Sequence, residues 1–370
     1  MRRLWIILRT EIKAWRRDPI TTMGGILPPL LMLIAFSLMF GERPTFKIAV
    51  IDDDTGPAGG VLRQAFDDTL SPFGAPYYDV LPLSEAEAWA ALRSYEIDAV
   101  WVIPADFSQR VEAGSSPQVE MHFSNYIDDL AKNHRIYQAE VMWRFYEKMG
   151  MPAAPLAMRE EYPLPKMVGW FPIIGVGLVL TSFILGGMMN MMMLTYKEQV
   201  ARITLEFGLS PRSLGWVLFP KILLALFTSL LTGTIMLVVL YLWTGAWPGQ
   251  YLWAVWTLAG LVSLFWIAPI LLVGLRVRHF MGAAIGVILT GMIVFFIGGG
   301  LAMIRNNQAN VPWFSWLFPN THAIDPLRDL ILFHAWPVDW TETLLKLAGF
   351  AVAALVVGVG FASYRLRRQG

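Results

Sequence analysis

Residues 222–275 read ILLALFTSLLTGTIMLVVLYLWTGAWPGQYLWAVWTLAGLVSLFWIAPILLVGL, and no charged residue occurs in this stretch. A helix needs about 20 apolar residues to cross the ~30 Å hydrocarbon core of a bilayer, because its backbone amides must be satisfied internally there. The stretch is therefore too long for one crossing. Its middle, TGAWPGQ at 244–250, contains two glycines and a proline, which favour a tight turn. The sequence thus predicts two membrane-spanning helices joined by a short turn.

Four further spans are predicted from the other gaps between charged residues. They lie at 22–40, 168–196, 280–304 and 344–364. The composition agrees, since 56% of the 370 residues are hydrophobic and only 15% are charged, whereas soluble domains contain about a quarter charged residues. Tryptophan and tyrosine lie near the predicted span ends, as in an interfacial aromatic belt: Trp170, Trp243, Trp247, Tyr251 and Trp253. We therefore expect an integral membrane protein.

The orientation follows from lysine and arginine in the short segments. These residues concentrate at the amino terminus, after the second span, after the fourth span and in the tail, which all lie on one side if there are six spans. The positive-inside rule then predicts that both termini are cytoplasmic. The net charge of +1 gives no argument for a nucleic-acid partner.

Residues 42–166 are too polar for lipid and are expected to form an extracytoplasmic domain. Predicted strands lie at 46–51, 99–103 and 119–123, and predicted helices at 60–70, 84–95 and 126–149. This alternation is typical of a small α/β domain. The run Asp52, Asp53 and Asp54 suggests either a cation site or helix-capping acids in a solvated loop. Consecutive side chains seldom converge on one ion, which favours the second interpretation.

Two segments on the cytoplasmic side have distinctive patterns. Residues 1–18 predict an amphipathic interfacial helix, which would also serve as a topology anchor. The loop 197–213 reads KEQVARITLEFGLSPRS and carries Glu198, Arg202 and Glu206 at four-residue intervals, which places them on one helical face. The loop is either a handle for a cytoplasmic partner or simply solvated.

Motifs for catalysis are absent from the sequence. It contains no cysteine and no phosphate-binding loop, so we expect no catalytic residue, no cofactor and an energy source on another chain. His322 and His334 would share a side with Asp325 and Asp329, but a metal site there is not favoured. Lys221 and Lys346 lie near span ends, where each is expected to snorkel to water.

The layout of one span, a large extracytoplasmic domain and five spans resembles the ATP-binding-cassette export permeases of the second type, also called type V exporters. Local stretches extend the resemblance: IAVIDD at 48–53, IDAVWVIPADF at 97–107, TLEFGLSP at 204–211 and FPNTHAIDPLRDLIL at 318–332. One departure lies at 201–203, where relatives more often have an arginine-glutamate-lysine-glycine run. The departure concerns the details of coupling rather than the class.

The resemblance implies that two permeases, as a homodimer or a heterodimer, pair with two ATPase subunits that hold ATP and Mg²⁺. A periplasmic adaptor is a further possible partner. The residues that would couple to the ATPase are Glu198, Arg202, Thr204, Glu206, Ser210 and Pro211.

The resemblance also implies a substrate path along the second and fifth helices. The residues expected to line it are Met188, Met189, Met192, Phe295 and Phe296, although helix packing is the simpler role for each. Methionines adapt to varied apolar shapes, which would suit a tolerant path. Asp325 and Arg328 are expected to form a structural pair on a helix at 323–333.

The predicted fold is a membrane all-α bundle of six transmembrane helices with an inserted extracytoplasmic α/β domain. Its parts are the amphipathic interfacial helix at 1–18, the first transmembrane helix at 19–41, the α/β insert at 42–166 and a five-helix transmembrane region at 167–370. The last region contains the coupling loop 197–213 and a re-entrant segment at 305–343. The expected function is the permease subunit of an ATP-driven exporter in a prokaryotic inner membrane, moving an amphipathic or lipid-like substrate. The alternative is a membrane-anchored sensor or assembly protein whose insert binds a ligand, but the cytoplasmic segments are too short for an output domain. A membrane enzyme is a more distant third.

Overall fold

The computed structural model divides the chain into two compact units, Met1–Gly41 with Tyr162–Gly370, and Glu42–Glu161. It describes residues 9–10, 12–13, 15–17, 19–40, 45–71, 74–94, 96–115, 118–123, 128–150, 168, 170–201, 215–274, 277, 279–301, 304 and 311–369.

The first long helix, α1, is Pro19–Phe40. Before it, residues 9–10, 12–13 and 15–16 are helical, while the rest of the predicted interfacial helix falls largely outside the described residues. The Trp15 indole N–H donates to Thr22 Oγ1 at 3.0 Å. The indole ring also packs edge-on against Phe227, with centroids 5.9 Å apart. These contacts attach the described part of the segment to two membrane helices.

The second unit contains a four-stranded sheet with strand order β2–β1–β3–β4. Its elements in chain order are β1 (Phe46–Asp52), α2 (Pro57–Asp67), β2 (Tyr78–Leu81), α3 (Glu85–Arg93), β3 (Ala99–Ile103), α4 (Phe107–Glu112), β4 (Glu120–Phe123) and α5 (Asp128–Lys148). β1 pairs in parallel with both β2 and β3, and β4 runs antiparallel to β3. The parallel pairs follow from helical crossovers, because parallel neighbours cannot be joined by a tight turn.

An aromatic core holds α2 against this sheet. The ring of Phe66 lies 5.2 Å from Tyr78 and 4.8 Å from Trp101, edge-on in both cases. Burial of three such rings supplies much of the apolar area that a small unit needs. Three predicted strands correspond to β1, β3 and β4, whereas β2 and α4 were missed, since both are short and lack a clear hydrophobic period.

The remaining α-helices follow the second unit in sequence. They are α6 (Trp170–Val200), α7 (Gly215–Thr244), α8 (Leu252–Gly274), α9 (Phe280–Ile297), α10 (Pro319–Arg328) and α11 (Trp340–Gln369). Within the described residues, six helices are long and apolar enough to cross a membrane: α1, α6, α7, α8, α9 and α11. The six predicted spans are confirmed in number and approximate position.

The predicted fifth span was too long at its end. Helix α9 stops at Ile297 rather than at residue 304, and Gly298 forms its C-cap. Gly299 has φ 77°, a left-handed conformation that side chains other than glycine rarely adopt. Three consecutive glycines therefore end the helix and turn the chain.

The segment before α11 is compact. A 3₁₀ turn at Trp313–Leu317 leads into α10, and one π-helical turn at Asp329–Phe333 follows it. The helix predicted at 323–333 thus begins earlier, because Pro319 occupies a first-turn position where its missing N–H costs nothing.

Small residues and hydroxyl groups join the first four spans. A Cβ built on Gly25 of α1 would lie 2.6 Å from the Cα of Gly186 in α6, so these two backbones touch. Ser182 Oγ donates to the carbonyl oxygen of Gly25 at 2.9 Å. Thr232 Oγ1 of α7 donates to the carbonyl oxygen of Ser182 at 3.1 Å. Such close packing and hydroxyl bonding replace the hydrophobic effect as the force between helices in lipid.

The same seam continues into α8. Ser229 Oγ of α7 lies 2.8 Å from Ser263 Oγ and also donates to the carbonyl oxygen of Phe183 at 2.6 Å. We call the set Gly25, Ser182, Ser229, Thr232 and Ser263 the hydroxyl seam. It links α1, α6, α7 and α8 through their buried faces.

Candidate functional site

Among the predicted coupling residues, Glu198 is the one that the structure describes, and it lies at the end of α6. Glu198 lies in the last turn of this helix, and its carboxylate forms an ion pair with the ammonium group of Lys221 in α7. The other predicted coupling residues lie outside the described residues: Arg202, Thr204, Glu206, Ser210 and Pro211. The structure therefore describes the helix end that leads into the predicted coupling loop.

The prediction that Lys221 snorkels to water is wrong. Its side chain is only 1% exposed, whereas that of Glu198 is 17% exposed. A lysine snorkels when no acceptor lies within the bundle, but here a carboxylate on the neighbouring helix forms an ion pair with the ammonium group. Lys346 is different, because its side chain is 49% exposed and pairs with Glu342 on the same helix.

Further contacts fix the end of α6 against the fourth and fifth spans. The ring of Tyr196 lies 5.5 Å from that of Phe280, the first residue of α9. With its amide nitrogen turned toward them, Gln199 donates to the carbonyl oxygens of Gly274 and Val277, each at 3.0 Å. The last turn of α6 is thus held by α7, α8 and α9 together.

Arg328 occupies a second buried site, at the end of α9. Its side chain is fully buried, and Nη1 donates to Asp325 Oδ1 at 3.0 Å. Nη2 donates to the carbonyl oxygens of Gly299 at 2.8 Å and Gly300 at 3.1 Å. A longer bond of 3.4 Å reaches the carbonyl oxygen of Ile173 in α6.

The guanidinium group therefore does more than the predicted pairing with Asp325. It satisfies the carbonyl groups of Gly299 and Gly300, which lie in the glycine turn that follows α9. It also connects α9 and α10 to the beginning of α6. Sequence reasoning missed this role, because nothing in the sequence indicates that Arg328 lies beside the three glycines at 298–300.

A cavity of about 290 Å³ adjoins α10. Its lining includes His322, Asp325, Asp329 and Asp339. The two histidines considered for a metal site have separate partners. His322 Nε2 lies 3.0 Å from the carbonyl oxygen of Trp316, and His334 Nε2 lies 2.7 Å from that of Trp247. In the described part of the chain, no group of three acidic or histidine residues could hold a metal ion.

The predicted path residues fall into two groups. Met188, Met189 and Met192 are buried inside the bundle of this one chain, as is Phe295. A Cβ on Gly24 would lie 2.5 Å from Met189 Cε, which shows how closely the methionine packs against α1. Within this one chain, these four side chains belong to the core between the helices.

Phe296 is the exception, with half of its side chain exposed. It continues an exposed apolar stripe along α9, which we call the α9 stripe: Met281, Ile285, Leu289, Ile293 and Phe296. The spacing of three or four residues places these side chains on one face of the helix. This face is available to lipid or to another protein.

In the second unit, Asp54 caps two helices. Its carboxylate accepts hydrogen bonds from the Gly59 N–H of α2 at 3.0 Å and from the Ser108 N–H of α4 at 3.0 Å. Ser108 Oγ donates to it at 2.5 Å. Desolvation raises the pKa of Asp54, but these hydrogen bonds outweigh it and hold the pKa below its ordinary value.

Asp52 lies beside this cap and accepts from the Asp54 N–H at 3.2 Å. Desolvation raises the pKa of Asp52, against the hydrogen bond from Asp54. The geometry of Asp54 corresponds to the helix-capping interpretation of the acidic run.

Six apolar helices with buried helix-to-helix bonds define a multi-pass membrane protein. Residues 20–360 match the family described as ABC-2 family transporter protein, and the chain belongs to that family. Membership makes it a transporter permease subunit and implies a membrane location and an ATPase partner.

Curated relatives agree with this family. The chain is 23% identical over 357 residues to the "Probable multidrug ABC transporter permease YbhR" of Escherichia coli (strain K12), covering 89% of this chain and 90% of that protein. The protein of the same name from Escherichia coli O157:H7 matches equally. No solved structure gives a significant match to the chain.

Proposed function

We propose that this chain is the permease subunit of an ATP-driven exporter that moves an amphipathic or lipid-like substrate, such as a drug, lipid or glycan, out of the cytoplasm or the inner leaflet. A separate ATPase subunit hydrolyses ATP with its own Mg²⁺. Family membership supports the transport role, and the relatives named as multidrug permeases support an apolar substrate.

The observation that carries the coupling part of the proposal is the fixed end of α6. Force applied to the adjoining segment 202–214 would reach Glu198 and Gln199 first. Because these residues are bonded to α7 and α8, the force would pass to several spans at once. The predicted contacts with the ATPase are Arg202, Thr204, Glu206, Ser210 and Pro211. Glu198, also predicted as a coupling residue, would pass the force to α7 through Lys221 rather than touch the ATPase.

The substrate path is proposed to run along the α9 stripe between two permease subunits. The stripe is exposed on a single chain, and its apolar side chains suit either a partner helix or an acyl chain. A second permease, identical or different, would cover it. The buried methionines of α6 would shape this path from behind rather than line it.

The proposed location is a prokaryotic inner membrane with both termini cytoplasmic and the α/β unit outside. The distribution of lysine and arginine supports this orientation. A periplasmic adaptor that contacts the α/β unit is a further proposed partner.

The test reconstitutes the chain into proteoliposomes with an ATP-binding-cassette ATPase that copurifies with it. ATP-dependent movement of a panel of labelled amphiphiles is then measured. Glu206→Arg is expected to abolish ATPase binding and transport, while Glu112→Arg on the exposed surface of α4 leaves both unchanged. Unchanged binding and transport in Glu206→Arg would contradict the coupling role, and ligand binding without any ATP-dependent movement would support the sensor alternative.

A further inference from the structure

Among the residues that the structure describes, two basic side chains are buried, Lys221 and Arg328. Arg328 closes the end of α9, whereas Lys221 lies in the second turn of α7 and faces Glu198 at the end of α6. The segment 201–214 joins these two helices. The ion pair therefore links the chain just before this segment to the chain just after it.

Stability alone is a poor explanation for this pair. Removing an ammonium group and a carboxylate from water is costly, and apolar side chains of similar size often stabilise such a site as well or better. The pair Lys346 and Glu342 offers a comparison, because it is exposed and joins two positions of one helix. The buried pair instead fixes the position of one helix relative to another. Apolar contacts define such a position less specifically than an ion pair does.

The surroundings of Glu198 restrict its movement. Tyr196 packs on the first residue of α9, and Gln199 bonds to the end of α8. A Cβ on Gly274 would lie 1.7 Å from Thr195 Oγ1, so the Thr195 side chain of α6 packs directly against the backbone of α8 there. The carboxylate is thus presented to Lys221 from a fixed position.

We propose that Glu198 and Lys221 form a positioning pair, which holds the two ends of the segment 201–214 together so that movement of this segment is transmitted to α6 and α7 as one body. The inference rests on the proposed ATPase coupling and adds the residues that transmit it. Neither side chain contacts substrate or nucleotide in this role. Loss of the pair uncouples ATP hydrolysis from transport without removing the ATPase.

The first test uses proteoliposomes that contain the ATPase subunit and one amphiphile exported by the unaltered chain. Lys221→Met and Glu198→Gln are each expected to lower the amount of substrate moved per ATP about tenfold, while ATPase copurification changes less than about twofold. The charge swap, Glu198→Lys with Lys221→Glu, recovers most of the loss. Lys346→Met, which disrupts the exposed pair, behaves as the unaltered chain.

The second test needs no ATPase. The chain has no cysteine, so a single cysteine at Ser210 carries a nitroxide spin label. Its spectrum is expected to show greater mobility in Lys221→Met and to return to the original form in the charge swap. If Lys221→Met fails to insert, restored insertion and transport in the charge swap support the pair, whereas a swap as defective as the single variants contradicts it.

The two tests separate the possible failures. If the unaltered chain moves no amphiphile but label mobility responds to the pair, the proposed function fails while the positioning of the segment stands. If the unaltered chain transports and Lys221→Met keeps both normal coupling and normal label mobility, the inference is overturned.

Discussion

Arg328 Nη2 lies 2.8 Å from the carbonyl oxygen of Gly299, so the guanidinium group of one helix binds the glycine turn that follows another. The same group donates to Asp325, and this carboxylate also accepts from the N–H of Ile304 at 3.3 Å. The short helix α10 is therefore bonded to the chain that leaves α9.

Arg328→Met should destabilise the membrane unit by about 3–5 kcal/mol, because it leaves Asp325 buried without the guanidinium group. Thermal unfolding in detergent measures the effect. Lys346→Met is the control, since its pair is exposed and such pairs contribute about 1 kcal/mol or less. Equal unfolding temperatures for the two variants would show that the Arg328 bonds are dispensable.

Gly25→Ala should weaken the packing of α1 on α6 by about 1–3 kcal/mol, the usual range for an overpacked site. The added Cβ would lie 2.6 Å from the backbone of Gly186, which has no side chain to move away. Gly286→Ala in α9 is the matched control, because nothing lies within 4 Å of its Cβ position. The yield of folded protein after detergent extraction compares them, and a loss in both variants would point to helix propensity or lipid contact instead.

Asp54→Ala should destabilise the α/β unit by about 1–2 kcal/mol through the loss of helix caps. Hydrogen exchange of the full chain measures this, with faster exchange expected at amides of α2 and α4. Asp53→Ala serves as the control because Asp53 is exposed and adjoins the cap. If both variants exchange alike, the cap contributes nothing measurable.

The pH dependence of this unit should follow from the same carboxylate. The pKa of Asp54 in the folded chain lies below its ordinary value of 3.8, so the unfolded chain binds more protons as the pH falls. The stabilisation is therefore complete above pH 3.8 and disappears as the pH falls through the pKa of the folded chain. Asp52, whose pKa is raised mainly by desolvation, has the opposite sign. Asp54→Asn should therefore weaken the acid-induced rise in exchange, and Asp52→Asn should not.

The proposed topology can be tested with single cysteines, because the natural chain has none. A membrane-impermeant maleimide should label Gly60→Cys in intact cells but label Gly370→Cys only after the membrane is opened. Gly60 is exposed with open space around it, so the probe can reach it. Labelling of both positions in intact cells would contradict the predicted orientation.

The spans were predictable from the sequence because the exclusion of charge from hydrocarbon is a local property. Each gap between charged residues located one helix, or two in the case of 222–275, without any knowledge of the neighbouring helices. The end of α9 was missed because residues 298–304 remain uncharged, and hydropathy alone cannot distinguish a helix from a glycine turn in the same apolar setting.

The buried contacts were harder to predict from the sequence, because they depend on which helices become neighbours. Lys221 and Glu198 each lie near a span end, and nothing local indicates that one will turn inward to meet the other. The pairing of Asp325 and Arg328 was expected from their helical spacing. The bonds from Arg328 to Gly299 and Ile173 needed the fold.

The hydroxyl seam limits how this protein can change shape. Close packing and hydrogen bonds between helices together hold these four spans in place, so α1, α6, α7 and α8 are expected to tilt as a single rigid body. Separations between probes placed within that quartet should then stay constant through a transport cycle. Changes in separation should appear only where α9 or α11 meets it.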